Sequence, residues 1–81
     1  MELPAPGPSP LESTLDAERE RRYKSALATL NPDEQVLVVG RLEMGYGYQQ
    51  LALITDRTTA EAARVAVRRA VVKLVERMPG A

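Results

Sequence analysis

Three helix-opening signatures recur along this chain, at Ser9-Pro10, at Asn31-Pro32-Asp33-Glu34 and at Thr58-Thr59-Ala60-Glu61. No stretch between them shows the apolar–polar alternation of a half-buried strand. The first amides of a helix have no partner inside it. A serine, asparagine or threonine oxygen accepts from one of them, and proline at the first position has no amide to leave unpaired. Acidic residues in the first turn meet the positive end of the helix dipole. At Thr58 the pattern is that of a capping box, with Thr58 and Glu61 satisfying each other's backbone amides. These signals predict an all-α fold, a small bundle of four helices.

The first helix opens at Ser9-Pro10 and is best defined from about Asp16 to Leu30. Leu11, Leu15, Tyr23, Leu27 and Leu30 recur near one face, and the charged run ERERR over 18–22 is solvated. The second runs from Pro32 through Val36, Leu37, Val39 and Leu42 to Gly45, whose freedom at positive φ suits a C-terminal cap. The branched run VLVV over 36–39 would also suit a buried strand, but the caps and the length favour a helix. A turn over Gly45–Tyr48 leads to a short helix, Gln49–Ile54, and a second turn over Thr55–Arg57 leads to the last helix, Thr59–Met78, which Pro79-Gly80 ends. Residues 1–10, MELPAPGPSP, hold four prolines and read as a disordered tail or linker, which leaves 11–81 as one domain.

Composition removes several function classes. There is no cysteine and no histidine, which excludes disulfides and thiolate sites and removes the commonest metal ligand and general base. The aromatics are three tyrosines, too few for a stacking platform on single-stranded nucleic acid. Glu43, Tyr46, Tyr48 and Asp56 are the one conceivable acid–base set, and tyrosines beside a glycine turn are better read as packing. No apolar run approaches the ~20 residues of a membrane span, and no secretory pattern opens the chain. The expectation is a soluble, cytoplasmic protein without metal or cofactor that is not an enzyme.

Charge is balanced overall, with eleven basic and eleven acidic residues, but it is not evenly spread. Residues 1–56 carry five basic and nine acidic side chains, whereas 57–81 carry six basic and two acidic, so the last helix concentrates positive charge. At 100° per residue, Ala63, Val67, Ala70, Val71, Leu74 and Met78 share a core stripe of roughly 100°. Arg57, just ahead of the helix, and Glu61, Arg64, Val65, Arg68, Arg69 and Val72 fall opposite. Ala62, Ala63, Ala66 and Ala70 allow close helix packing. A short helix, a tight turn and a capped helix with an arginine face together suggest a helix-turn-helix, whose second helix enters the DNA major groove. Arginine can bond guanine O6 and N7 together, valine can touch the thymine methyl, and the capping threonines can meet a phosphate. Such a corner also occurs as pure structure, and such a face as a merely solvated one.

The order of these pieces resembles region four, the C-terminal −35-binding domain of bacterial RNA polymerase sigma factors, especially the extracytoplasmic-function group. The resemblance runs over residues 26–78. It rests on Ala26-Leu27-Ala28-Thr29-Leu30-Asn31-Pro32, the pair Asp33-Glu34, the run Val36 to Arg41, Gly45 and Tyr48 with Gln50-Leu51-Ala52, and Arg69-Ala70 with Leu74. The chain departs from the common family pattern at the turn, with Asp56-Arg57-Thr58-Thr59 in place of Gly-x-Ser and one extra residue before Arg69-Ala70. Nothing in residues 1–25 resembles region two, so the sequence reads as an excised C-terminal domain or a small stand-alone relative.

The resemblance implies sequence-specific binding to double-stranded promoter DNA at the −35 element, with docking on the RNA polymerase β flap for transcription initiation. By position, Arg64, Val65, Arg68 and Arg69 match the base- and backbone-contacting positions, and Arg57, Thr58, Thr59 and Glu61 lie at the helix entrance. Leu37, Val38 and Leu42 are candidates for the flap contact, although all three suit the core equally and core is the favoured place for at least two of them. An anti-sigma factor is a further implied partner, and a monomer is expected. The competing reading is a protein-interaction module that keeps the fold without reading DNA, its arginine face pairing with an acidic partner.

Overall fold

The computed structural model describes residues 10–79 and is all-helical, with no strand among them. Its elements are α1 (Pro10–Leu27), α2 (Pro32–Val38), α3 (Tyr48–Ile54) and α4 (Ala60–Arg77), and α2 continues directly into a π-helical turn over Val39–Glu43. Helices α2 and α3 pack against α4, and α1 adds its C-terminal end to the same core. That core joins Leu37 and Val38 of α2 and Leu51 and Ala52 of α3 to Ala63, Val67, Ala70 and Leu74 of α4, with Ala26 and Leu30 closing one side. The four α4 residues lie on the stripe that the periodicity predicts, and Val71 and Met78 pack partly buried at its edge. No helix among the described residues is long and apolar enough to cross a membrane.

Pro10 is the first residue of α1, as proline's missing amide favours; Ser9 and the remainder of the proline-rich head lie outside the described residues. Two expectations for this helix need correction. It stops at Leu27 rather than Leu30, because Pro32 holds Asn31 extended (φ −73°, ψ 164°) and the chain must leave the helix beforehand. The freed carbonyls of Leu27 and Leu30 are taken by the Gln35 side-chain amide at 3.0 and 3.1 Å. Secondly, Leu11 and Leu15 are not buried: they are 69% and 42% exposed, since the other described helices pack on the C-terminal end of α1.

Asn31 caps α2 as expected, and with Glu34 it forms a complete capping box. The Asn31 side chain accepts from the Glu34 amide at 2.8 Å, and the Asn31 amide donates to the Glu34 carboxylate at 3.0 Å. That amide, and then Lys73 at 3.1 Å, holds the Glu34 carboxyl below the usual range. Gly45 takes positive φ (+73°), the conformation predicted for it, but the turn before it is π-helical. Its wider winding sends the Met44 amide to the Val39 carbonyl at 3.0 Å. The turn brings Gly40 against α3, where a Cβ would stand 2.6 Å from Leu51 Cδ2. Glycine is what leaves the Leu51 side chain room against this turn.

Candidate nucleic-acid interface

Helix α3 begins at Tyr48, one residue earlier than its apolar pattern indicates, and ends in a Schellman motif. The Arg57 amide donates to the Ala52 carbonyl at 2.7 Å and the Asp56 amide to the Leu53 carbonyl at 3.4 Å. Asp56 occupies the left-handed position at φ +57°, which glycine would take without strain. The chain reverses over Thr55–Thr59 and enters α4 with the two helices packed on each other.

The capping box predicted for Thr58 and Glu61 does not form. Thr59 is the cap: its backbone is extended (φ −137°, ψ 154°) and its hydroxyl accepts from the Ala62 amide at 3.0 Å. A box needs its acid three residues after the cap, and that place belongs to Ala62. Glu61, one residue short of it, turns along the helix to Arg64 and accepts its Nε and Nη2 at 3.0 and 2.6 Å. Arg64 thereby holds the Glu61 carboxyl below its usual range, and Glu61 raises the Arg64 guanidinium in turn.

The predicted interface residues divide by what they touch. Arg57 does not join the outer face of α4. Its guanidinium folds back to Asp33 at the start of α2, in a two-pronged pair at 2.9 and 3.2 Å. This pair fastens the turn to the neighbouring helix. Thr58 is exposed beside the cap. Arg64 is engaged by Glu61, whereas Arg68 and Arg69 are exposed and form no hydrogen bond or ion pair among the described residues. Val65 is half-buried, and Val72 is 52% exposed between the arginines. Arg64, Val65, Arg68, Arg69 and Val72 line one shallow furrow along α4. On its far side Lys73 reaches Glu34, and Arg77 donates to the Thr29 carbonyl at 3.2 Å, so both basic residues tie α4 to its neighbours.

Two features escaped the sequence reasoning. Gln49, Gln50 and Leu53 of α3 share a second groove with Arg57, Thr58 and Thr59, so α3 adds polar side chains beside the entrance of α4. Only the mutual packing of α3 and α4 brings these positions together. The second is an apolar groove lined by Val36, Val39, Met44, Tyr46 and Ile54. Of the three flap-contact candidates, Leu37 and Val38 are core and Leu42 is exposed but does not line this groove, whose exposed apolar residues are Val36, Met44 and Ile54.

The conceivable acid–base set is spent on structure. Glu43 accepts from the Tyr23 hydroxyl at 2.6 Å, and burial together with that carboxylate pushes Tyr23 up to about 12. Tyr46 and Tyr48 pack on the core, and the Arg41 guanidinium lies 4.2 Å above the Tyr48 ring. Asp56 forms the α3 terminus. No group of three or more acidic residues among those described could hold a metal ion. No known protein family, curated protein or solved structure matches this chain.

Proposed function

We propose that this chain is a sequence-specific double-stranded DNA-binding module of the sigma region-four type, with α3 and α4 as its helix-turn-helix. It acts in the cytoplasm and lays the N-terminal half of α4 in the major groove of a promoter −35 element. The observation that carries the reading is the outer face of α4, where Arg68 and Arg69 stand exposed and unpaired among the described residues while the other basic residues nearby are engaged. Cations left without an internal partner are available to phosphate and to guanine edges. Thr58 and Thr59 sit where a phosphate would meet the first amides of α4. Arg64 exchanges one partner for another on binding, since a guanine or a phosphate must displace Glu61. Arg57 supports the turn rather than the DNA. The apolar groove beside Met44 and Ile54, on other elements than the arginine face, gives the polymerase flap a docking surface.

Selection from a pool of random duplexes, followed by sequencing, tests this reading. It requires enrichment of a short motif and binding that weakens steeply with salt, through counterion release. Arg68→Ala and Arg69→Ala should each weaken binding by about 1–3 kcal/mol where they contact a base, or lower the salt slope by about 1 where they contact phosphate. Circular dichroism should stay unchanged, because neither side chain has a partner among the described residues. A folded chain that enriches no motif at low salt sinks the proposal.

A further inference from the structure

An acid stands in the middle of the face that the proposed reading lays against DNA. At 100° per residue, Glu61, Val65, Arg68 and Val72 fall within about 60° of one another on α4, with Arg64 on one flank and Arg69 on the other. Glu61 lies in the first turn, and 68% of its side chain is exposed. The other acid of α4, Glu76, is about 22 Å further along the helix, beyond the half that enters the groove. Phosphates at the helix entrance repel a carboxylate so placed. The helix dipole accounts for an acid in this turn but not for one on this face. An acid at position 62 would serve the dipole equally, complete the capping box with Thr59 and stand away from the centre of the face.

What Glu61 does in this structure is occupy Arg64. Both of its oxygens accept, from Nε at 3.0 Å and from Nη2 at 2.6 Å, while Arg68 and Arg69 have no partner among the described residues. Resting on the DNA reading above, we infer that Glu61 is a specificity-determining residue, which withholds Arg64 from phosphate and yields it to guanine. In register, the other contacts of the complex hold a guanine edge in place, and its O6 and N7 replace both of the bonds given up to Glu61. Out of register, Arg64 meets only a hydrated phosphate that nothing holds in place. That phosphate competes with a carboxylate tethered three residues away, at high effective concentration. Releasing Arg64 to it also leaves Glu61 unneutralised against the same backbone. A charge left unpaired in the wrong complex discriminates as well as a contact made in the right one.

Fluorescence anisotropy of the full chain on two duplexes, the selected motif and a scrambled version of it, compares wild type with Glu61→Gln. Binding to the scrambled duplex should strengthen by about eightfold at 0.1 M salt, the effect of one more phosphate at a slope of about 0.9, and its salt slope should steepen by about 1. Motif binding should strengthen by no more than about twofold, since only an exposed pair within one helix is lost. The preference for the motif therefore falls by about fourfold. It compares two duplexes on one folded chain, so a change in the stability of α4 cancels. An Arg64→Ala background separates the pair from simple repulsion: there Glu61→Gln should leave the salt slope on the scrambled duplex unchanged. An unaltered preference in Glu61→Gln overturns the inference, as does a slope that steepens without Arg64. Weaker motif binding by Glu61→Gln overturns it too, because the carboxylate would then be holding Arg64 toward the base. A folded wild type that yields no motif sinks the DNA reading and this inference with it, whereas a wild-type preference that Glu61→Gln leaves intact sinks only the role of Glu61.

Discussion

Replacing Gly40 by alanine probes the close packing of Leu51 against the π-helical turn. The added methyl would sit 2.6 Å from Leu51 Cδ2 and 3.3 Å from Tyr46 Cδ2, whereas carbon atoms rest at about 3.5–4.0 Å. Leu51 is fully buried, so it must retreat by about 1 Å into neighbours that are themselves packed. Overpacking of this kind costs about 1–3 kcal/mol. Alanine offsets part of that, because it favours helical backbone over glycine by about 1 kcal/mol. The net loss should be about 1 kcal/mol, a fall in Tm of about 4–8 °C for a domain of this size. Thermal and urea melts followed by circular dichroism measure it. The clash also fixes the sign of a coupling. In a Leu51→Val background the offending Cδ2 is gone, and Gly40→Ala should become neutral or stabilising, a coupling of about 1 kcal/mol. Equal destabilisation in both backgrounds would refute the contact as the cause. A more stable Gly40→Ala protein would refute the close approach itself, and with it the reason for glycine in the π turn.

Three further predictions concern the helix ends. Thr59→Ala should destabilise by about 1 kcal/mol as a lost cap, whereas Thr58→Ala should stay within about 0.5 kcal/mol, and paired denaturant melts separate them. Asp56→Gly should raise stability by about 0.5 kcal/mol, because glycine takes the left-handed position without the strain of a side chain; a lower Tm would count against the Schellman ending. Glu34 has a depressed carboxyl, so its stabilisation is complete above the ordinary glutamate value of about 4.3 and is lost as the pH falls through its lower folded value. Melts across that acid range should show a steeper loss for the wild type than for Glu34→Gln, and parallel curves would argue that neither the Asn31 amide nor Lys73 matters to it.

The helices and the buried side of α4 were legible because they rest on local rules. Asn31-Pro32 and Gly45 act within a few residues of themselves, through one side-chain oxygen, one missing amide and one positive φ. The stripe Ala63, Val67, Ala70 and Leu74 follows from the helical period alone. The cap of α4 was misread by one residue because Thr58 and Thr59 both qualify. What decided between them was the Schellman turn at Asp56, which a non-glycine residue conceals. Much of the candidate interface was equally hidden. Arg57 reads as one more cation of the last helix, yet it is committed to Asp33, 24 residues away, and that commitment exists only once α2 packs beside the turn.

Sequence by itself therefore determined the all-helical architecture, most of the helix ends and the separation of α4 into an apolar and a basic face, because each depends on neighbours within one or two turns. Tertiary structure alone decided which charges remain available. It spent Arg57, Lys73 and Arg77 on other elements, left Arg68 and Arg69 without a partner among the described residues, and left Leu11 and Leu15 exposed. The physical reason is that a charge or an apolar side chain is used or spare only in relation to partners distant in the chain, and packing is what brings those partners within reach.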